Sequence, residues 1–372
     1  MKVMTVVGTR PEIIKLSCVI PELDRATRHV LVHTGQNYDY ELNEIFFEGL
    51  GLRKPDHFLD AAGENAAQTI AKVIAKSDEV MAAERPEALL LLGDTNSCLA
   101  AIAAKRRKVP VFHMEAGNRC FDERVPEEVN RRIVDHVADI NLPYTEHARR
   151  YLLAEGIRPD TIIKTGSPMK QVLVRQADAI QRSEILKKLG LERGRYFAVS
   201  SHREENIDDE RRFTELTASL AVLRAQHGLP VVVSTHPRTR KRLESLGSRA
   251  PEEIRFVQPL GFADYIRLQE SALCVLSDSG TLTEEASILG FAAVMIREAH
   301  ERPEGMDEGT VIMCGTKPDR VLEAVNVTIE RFARSGRTWR IAPDYNVDDV
   351  TSKVVNAILG YTDYVNRTVW RK

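Results

Sequence analysis

Short apolar runs alternate with polar clusters and helix-like segments along almost the whole chain. In the first half these runs cover residues 2–7, 30–34, 88–92, 109–112, 140–144 and 162–165. In the second half they cover residues 196–200, 231–234, 254–257, 273–276 and 293–296. Strands that alternate with helices are typical of βαβ units and of parallel sheets buried on both faces. We therefore predict an α/β fold with two Rossmann-like halves that face each other across an interdomain cleft.

The length of the chain favours two domains, because 372 residues exceed what one simple hydrophobic core holds. Gly166-Ser167-Pro168 interrupts the pattern, and a polar helical stretch follows it. We place an N-terminal domain at residues 1–170 and a C-terminal domain at residues 171–345. The rest of the chain, residues 346–372, is predicted to contain one helix that packs back on the N-terminal domain.

The stretch between residues 113 and 136 concentrates candidate chemistry. Glu115 follows an apolar run, and Pro126 opens a helix that carries Glu127 in its first turn. Open α/β sheets bind their ligands beyond the carboxyl ends of their strands. Both carboxylates are therefore expected to face one crevice. The alternative is structural, because a glutamate in the first turn also stabilises the helix dipole without a catalytic duty.

Periodicity predicts how this helix is oriented. The expected apolar stripe consists of Val129, Ile133, Val134 and Val137. Another face holds Glu127, Asn130 and Arg131. Glu128 and Arg132 are expected to form an ordinary i,i+4 ion pair on the surface.

Asp94 is a third candidate acid, because it follows the apolar run at residues 88–92. Adjacent parallel strands end side by side, so Asp94, Glu115 and Glu127 are predicted to converge. Carboxylates that crowd together shift each other's pKa values, which suits proton transfer. The alternative for Asp94 is a purely structural N-cap of the next helix.

Two cations follow the first strand in the segment GTRPEIIK. Arg10 lies in the predicted turn and Lys15 lies one helical turn further on. Together with the N–H groups of a helix N-terminus, they are suited to receive a phosphate or a carboxylate. The segment is neither a GxGxxG motif nor a P-loop, so it predicts no dinucleotide or ATP site. Solvated surface cations are the alternative.

The second half carries a pattern that suits a nucleoside diphosphate. Ser279, Gly280 and Thr281 begin a predicted helix, where small residues allow N–H groups to approach a pyrophosphate. Glu284 and Glu285 lie one turn further, where a carboxylate can bind both hydroxyls of a ribose. Further candidates for contact with the phosphates are Arg238, Arg302 and His202, the last also as a proton donor.

Composition excludes several other classes of function. A net charge of −2 and 28% charged residues do not favour a nucleic-acid or membrane partner. The five cysteines are scattered without a CxxC pair, which predicts neither a disulfide framework nor a zinc site. No DxD pair or histidine cluster indicates a metal. Without a targeting segment or a long apolar run, the expected location is cytoplasmic.

Eight short motifs together resemble one known family. They are GTRPEIIK, GDTNS, HMEAGNR, PEEVNR, SHREEN, THPR, SDSGTLTEE and ERPEG, and they extend over essentially the whole chain. This set resembles the non-hydrolysing UDP-N-acetylglucosamine 2-epimerase family. The resemblance implies two Rossmann-like domains in the GT-B arrangement, a homodimer, and neither a metal nor a redox cofactor. The implied partner is a UDP-activated N-acetylamino sugar.

The resemblance also implies roles for individual residues. The expected catalytic residues are Asp94, Glu115, Glu127 and His202. The residues expected to bind the UDP-sugar are Arg10, Lys15, Arg119, His236, Arg238, Ser279, Gly280, Thr281, Glu285 and Arg302. Thr281 departs from the family, which usually has a second glycine at this point.

Two segments, GNRCFDERVPEE and IREAHERPEGM, are most similar to the branch that makes UDP-N-acetyl-L-fucosamine. That branch inverts C2 of UDP-2-acetamido-2,6-dideoxy-L-talose for capsule and O-antigen synthesis. We expect this reaction, with conversion of UDP-GlcNAc to UDP-ManNAc as the alternative within the family. A GT-B glycosyltransferase, which needs an acceptor, and a non-catalytic UDP-sugar sensor are alternatives from other classes.

Overall fold

The computed structural model describes residues 1–36, 46–201, 209–235 and 254–372. It divides into two compact units, described separately below. Unit 1 comprises Met1–Arg175 together with Pro343–Lys372, and unit 2 comprises Gln176–Ala342. The sequence had placed the two boundaries at residues 170 and 345. The C-terminal helix belongs to unit 1, where it packs on the second helix of the chain.

Unit 1 contains a six-stranded parallel sheet in the order β3-β2-β1-β4-β5-β6. Its strands are β1 (Lys2–Val7), β2 (Arg28–His33), β3 (His57–Phe58), β4 (Ala88–Leu92), β5 (Val111–Met114) and β6 (Ile140–Leu142). Its helices are α1 (Arg10–Leu16), α2 (Val19–Ala26), α3 (Ala66–Glu84), α4 (Ala100–Arg106), α5 (Pro126–Val137), α6 (Glu146–Ala154), α7 (Met169–Arg175) and α15 (Val350–Thr368).

Unit 2 contains a second six-stranded parallel sheet, in the order β12-β11-β10-β7-β8-β9. Its strands are β7 (Phe197–Ser201), β8 (Val231–Thr235), β9 (Ile254–Val257), β10 (Cys274–Ser277), β11 (Ala293–Met295) and β12 (Ile312–Met313). Its helices are α8 (Ala177–Arg182), α9 (Ile185–Leu189), α10 (Glu210–His227), α11 (Phe262–Glu270), α12 (Thr281–Leu289), α13 (Pro303–Asp307) and α14 (Pro318–Ser335).

Both sheets have the strand order 3-2-1-4-5-6 of a Rossmann fold, so the predicted α/β class with two Rossmann-like domains is confirmed. The order reverses between β1 and β4 in unit 1, and between β7 and β10 in unit 2. Ligands of such sheets bind beyond the carboxyl ends of the strands at this switch point. In unit 1 the loops after β1 and β4 lie there, and in unit 2 the loops after β7 and β10.

The central strands formed as predicted because their side chains are buried on both faces. All five residues of β4 are buried, as are five of the six residues of β1. The edges differ from the prediction. The apolar run at residues 162–165 makes one isolated bridge, between Ile162 and Asn141, and the two-residue strands β3 and β12 were not predicted. Such short edge strands are too brief for a periodic pattern.

Several helices begin at polar residues that satisfy their first N–H groups. Asn65 accepts a hydrogen bond from the backbone of Gln68 at the start of α3, and Asp209 accepts one from Arg212 at the start of α10. Among the described residues, no helix is long and apolar enough to cross a membrane.

Candidate active site

The pairing of β4 with β5 brings two of the predicted acids to the same edge of the sheet. Leu92 lies beside Met114 in the parallel register, and the N–H of Gly93 donates to the carbonyl of Met114 at 3.0 Å. Asp94 and Glu115 therefore follow neighbouring strand ends. This agrees with the expectation that the carboxyl ends of the central strands present the acids together.

Glu115 is held in a demanding position. Its φ of 64° lies in the left-handed region, which an L-residue with a side chain rarely adopts. Nζ of Lys15 lies 2.5 Å from one carboxylate oxygen, and the side-chain amide of Asn118 donates to the other at 3.2 Å. The turn and these two donors aim the carboxylate along a fixed direction.

Asp94 is held by α5 rather than capping the next helix. The guanidinium of Arg131 donates to one oxygen of Asp94 twice, at 2.9 and 2.6 Å, and Asn130 donates to its backbone carbonyl at 3.0 Å. The cap of the following 3₁₀ turn is instead Thr95, which accepts a bond from Ser97. The prediction that Asp94 caps the next helix is therefore wrong.

Helix α5 buries polar as well as apolar side chains. Of the predicted apolar stripe, Val134 and Val137 pack on the core, whereas Val129 and Ile133 are 50% and 39% exposed. The polar residues that face inward are Glu128, Asn130, Arg131 and Asp135. The predicted stripe is therefore wrong for Val129 and Ile133, whose side of the helix does not face the core. The reason is that each inward polar group has a partner of opposite charge or a hydrogen bond, which removes most of the cost of burial.

Glu128 shows the same error in one residue. It does pair with Arg132 at 3.2 Å, but its side chain is fully buried rather than on the surface. Its carboxylate also pairs with Arg131 and accepts bonds from the backbone N–H groups of Cys120 and Phe121. It therefore fastens the loop after Glu115 to the first turn of α5.

Glu127, the third predicted acid, lies in that first turn and is half-buried. It lies one helical turn before Arg131, the residue that binds Asp94. The three acids thus belong to two neighbouring strand ends and to the helix that is bonded to them. The convergence proposed from the sequence is consistent with this placement.

The sequence analysis missed Glu12, which joins the loop after β1 to the loop after β4. Its carboxylate accepts bonds from the N–H groups of Gly8 at 2.5 Å and Thr9 at 2.9 Å, and from the hydroxyl of Thr95 at 2.5 Å. Burial raises the pKa of Glu12 to about 7, although these three donors oppose the shift. The spacing of Thr9 and Glu12, typical of a capping box, was the available signal.

The two cations of α1 have different surroundings. The guanidinium of Arg10 lies 5.6 Å from the ring centre of Phe46. Lys15 is almost fully buried, with its charge on Glu115 and its ammonium 5.9 Å from the ring centre of Tyr144. The sequence predicted that these cations would receive a phosphate or a carboxylate. In the described structure Lys15 binds the carboxylate of Glu115.

Arg119 lies inside the protein with its guanidinium fully engaged. It bonds to both oxygens of Glu155 at 2.7 and 2.6 Å, to Asp135 at 2.7 Å and to the carbonyl of Asn118. Its side chain has no exposed surface. The structure therefore places Arg119 in a supporting network beneath the Glu115 loop, and its predicted contact with the ligand stays a prediction.

In unit 2, the residues predicted for a diphosphate follow β10. The hydroxyl of Ser201, at the end of β7, donates to Asp278 at 2.7 Å and so joins the loops on the two sides of the switch point. The hydroxyls of Ser279 and Thr281 lie 3.0 Å apart, and Thr281 begins α12 after Gly280. These small side chains lie at the N-terminus of α12, where the first backbone N–H groups have no partner within the helix.

The acidic pair of α12 is buried and already partnered. Glu284 lies 3.2 Å from Nε of Arg302, and Glu285 accepts a bond from the amide of Gln269 at 2.9 Å. Burial raises the pKa of Tyr265 in α11, a residue that was not predicted. Arg302 thus pairs with Glu284 inside the protein, and the contacts of Arg302 and Glu285 with the ligand stay predictions.

Three predicted site residues, His202, His236 and Arg238, lie outside the described residues. In the part of the chain that the structure describes, no group of three or more histidine, cysteine, aspartate or glutamate side chains could hold a metal ion. All five cysteines are free.

Comparison with known proteins adds the family. The profile of the UDP-N-acetylglucosamine 2-epimerase family matches residues 21–359. The chain belongs to this epimerase family. It is therefore an isomerase that acts on UDP-sugars, as the sequence motifs implied.

Relatives of this epimerase differ in the sugar that they act on. A UDP-2,3-diacetamido-2,3-dideoxy-D-glucuronate 2-epimerase of Pseudomonas aeruginosa is 35% identical over 334 residues, which cover 88% of this chain and 92% of the relative. The structure of a UDP-N-acetylglucosamine 2-epimerase from Rickettsia bellii is 55% identical, with a TM-score of 0.93 and full coverage of both chains. A Methanocaldococcus jannaschii UDP-GlcNAc 2-epimerase in complex with UDP-GlcNAc and UDP is 30% identical. Its TM-score is 0.90, and the match covers 97% of this chain and 100% of that one.

Proposed function

We propose that this epimerase inverts C2 of a UDP-linked 2-acetamido sugar by eliminating UDP and adding it back. One observation carries the proposal, namely that Asp94 and Glu115 follow adjacent strand ends while α5, whose Arg131 binds Asp94, carries Glu127 in its first turn. Inversion requires a proton to leave one face of C2 and another to arrive on the opposite face. More than one acid–base group is therefore needed, and the three carboxylates supply them.

The C2 proton is not acidic by itself, because no carbonyl is attached to that carbon. Breaking the bond between C1 and the UDP oxygen makes C1 electron-poor, and C2 then loses its proton to a carboxylate. The products of this step are UDP and a 2-acetamidoglycal. In the return step a carboxylic acid protonates C2 from the other face, and an oxygen of UDP bonds again to C1.

The ion pairs of unit 1 suit this chemistry. Lys15 contacts Glu115 and Arg131 contacts Asp94, so a cation fixes the position of each of these two proposed acids. Which of the three acids takes the C2 proton is left to experiment. His202 is proposed to assist cleavage of the bond to UDP.

The nucleotide is proposed to bind to unit 2. Ser279, Gly280 and Thr281 precede the first turn of α12 and are suited to the pyrophosphate, and Glu285 is suited to the ribose hydroxyls. Arg10, Lys15, Arg119, His236, Arg238 and Arg302 remain proposed contacts of the UDP-sugar. For Lys15, Arg119 and Arg302, the ion pairs described above favour an indirect role.

We propose UDP-2-acetamido-2,6-dideoxy-L-talose as the substrate and UDP-N-acetyl-L-fucosamine as the product, for capsule or O-antigen synthesis in the cytoplasm. The segments GNRCFDERVPEE and IREAHERPEGM support this choice. The Pseudomonas relative named for a different UDP-sugar supports the idea that substrates vary around a common site. The alternative is conversion of UDP-GlcNAc to UDP-ManNAc, which the names of the other two relatives favour.

Proton NMR in heavy water tests the proposal, with UDP-GlcNAc and the L-talo sugar nucleotide in separate tubes. Deuterium at C2 of the L-talo sugar alone, with an L-fuco product, is the expected result. Exchange in UDP-GlcNAc alone would move the chain to the ManNAc reaction. If neither sugar exchanges although UDP binds, the epimerase proposal fails, and transfer of the sugar to an acceptor would indicate a glycosyltransferase.

We also propose that the chain forms a homodimer through unit 1. The support is the exposed apolar side of α5, where Val129 and Ile133 lie one turn apart. Phe121, in the loop fastened to this helix, is 66% exposed, and its ring contacts Tyr151 of α6. An apolar helix face that is left in water while the polar face is buried favours a protein partner.

A further inference from the structure

His113 is a buried histidine between the loops that carry two of the proposed acids. It lies in β5, and neither its ring nor the carboxylate of Asp135 has any exposed surface. Nε2 of His113 lies 2.6 Å from the carbonyl oxygen of Gly93, and Nδ1 lies 2.9 Å from Asp135. Gly93 is the residue immediately before Asp94.

Both neighbours of the ring are acceptors. A backbone carbonyl cannot donate, so Nε2 must carry a proton to bond with it. Nδ1 lies 2.9 Å from the carboxylate of Asp135, an ion-pair distance, so the negative charge of Asp135 favours a second proton on the ring although solvent does not reach it.

The charges around the ring agree with this state. Burial by itself lowers the pKa of His113, but the hydrogen bond and charge of Asp135, the Gly93 carbonyl and the charge of Asp94 together raise it above the usual value. Asp135 in turn pairs with Arg119, and Arg119 pairs with Glu155. Positive and negative groups alternate along this buried chain.

Asp135 extends the connection to the second acid. Its two oxygens lie 3.2 and 3.1 Å from the backbone nitrogen of Gly117, which donates to them. Gly117 follows Glu115 by two residues, and its φ of 81° requires glycine. A Cβ atom at this position would also lie only 2.4 Å from the carbonyl oxygen of Ala148. Asp135 therefore fastens the far side of the strained Glu115 turn.

We propose that His113 and Asp135 are positioning residues, which fix the Asp94 and Glu115 loops relative to each other for proton transfer at C2. This inference rests on the proposed function of those two acids. The ring holds the Gly93 carbonyl on one side, the carboxylate holds the Gly117 amide on the other, and the ring and the carboxylate lie in ion-pair contact. Neither residue is proposed to touch the substrate.

Asp135→Asn tests the connection because it keeps the size of the side chain and removes its charge. The expected result is a fall in kcat of about tenfold to a hundredfold, since small misplacements of catalytic groups have effects of this size. KM and the affinity for UDP are expected to change by less than about threefold, because Asp135 contacts no ligand. His113→Gln, which can still donate to Gly93, is expected to keep more activity than His113→Ala.

Asp139→Asn is the matched control. Asp139 is a buried aspartate at the opposite end of β5, where it accepts a bond from the N–H of Val111 at 3.0 Å and pairs with Lys105. This variant is expected to lower Tm while kcat stays at the wild-type value. A wild-type kcat in folded Asp135→Asn would overturn the positioning role. So would an equal loss of kcat in Asp139→Asn.

Nitrogen-15 NMR of the histidine rings gives a measurement that needs no turnover. The wild-type protein is expected to show a His113 ring with a protonated Nε2, assigned as the signal that disappears in His113→Gln. A His113 ring without a proton on Nε2 would overturn the inference. If the wild-type protein showed no exchange at C2 of the sugar, the proposed function would be refuted instead. Full turnover in Asp135→Asn, with Glu115→Gln inactive, would refute only the positioning role.

Discussion

Lys15 and Glu115 form a buried ion pair, with Nζ 2.5 Å from Oε2 and side chains that are only 5% and 9% exposed. The sequence separates them by a hundred residues. Lys15 was expected to bind a phosphate or a carboxylate, and Glu115 was expected to act as an acid. Their contact makes the cation of α1 a partner of the acid at the end of β5.

Lys15→Met is therefore expected to leave a buried carboxylate without its counter-charge. Loss of one partner of a buried pair destabilises a protein by about 3–5 kcal/mol. Urea unfolding measures this loss, and the C2 exchange rate should fall with it. The double variant Lys15→Met with Glu115→Gln should recover part of the stability, because the charge that lost its partner is then gone. If the double variant lost as much stability as the two single variants combined, the result would contradict the pairing.

Glu127→Gln is expected to stop C2 exchange while UDP still binds with wild-type affinity, because the amide cannot take or give the proton. Deuterium incorporation by NMR and calorimetric titration with UDP measure the two properties. Glu123→Gln is the control, since Glu123 lies in the preceding loop with its side chain 76% exposed. Near-normal exchange in Glu127→Gln would remove this residue from the mechanism.

Glu12 is expected to make stability depend on pH. Burial raises its pKa from the ordinary value of 4.5 to about 7, so the folded state binds the proton more tightly than the unfolded state. Its contribution to stability is thus largest below pH 4.5 and is lost as the pH rises to about 7. The free energy of unfolding changes with pH by at most about 1.4 kcal/mol per pH unit through this one group.

Glu12→Gln should remove this slope. Urea unfolding of both proteins at several pH values between 4.5 and 8 measures it as the difference between wild type and variant. That difference should change across the window where Glu12 titrates and stay constant above it. A difference that does not vary with pH would show that Glu12 keeps its ordinary pKa.

Glu285→Gln tests the nucleotide part of the proposal. Hydrogen bonds to a charged group contribute about 1.5–3 kcal/mol, so loss of the carboxylate should weaken UDP binding by about tenfold to a hundredfold. Calorimetric titration with UDP and with uridine checks that the effect lies on the ribose. Glu323→Gln, at a side chain of unit 2 that is 63% exposed, should bind UDP normally. Unchanged affinity in Glu285→Gln would exclude the ribose contact.

Ile133→Glu and Val129→Glu are expected to dissociate the proposed homodimer, because each places a charge on the exposed apolar side of α5. Light scattering after gel filtration should give about twice the chain mass of 41.8 kDa for the wild type and the single mass for the variants. Val174→Glu, at a residue 66% exposed in α7, is the control and should keep the wild-type mass. A monomeric wild type would end this proposal.

The central strands and the family could be predicted from the sequence because both depend on short stretches of consecutive residues. Apolar runs such as β4 are buried on both faces, so they read as strands wherever they occur. The acids follow such runs directly, which placed Asp94 and Glu115 at neighbouring strand ends. Glu12 was available in the same way, through its spacing from Thr9, but was not used.

Other features were decided by contacts between distant residues. The orientation of α5 depended on whether Glu128, Arg131 and Asp135 find partners, and their partners lie on other loops. The same holds for His113, whose ring contacts one carbonyl and one carboxylate that are distant in the chain.

The sequence by itself determined which segments become the central strands, which family the chain belongs to, and which side chains are chemically able to move a proton. Only the tertiary structure decided which of these charges neutralise one another. Periodicity records where apolar groups repeat, whereas the cost of burying a charge depends on a partner that the fold brings from elsewhere. For this reason Lys15 and Arg119 looked like ligand contacts in the sequence and lie in ion pairs in the protein.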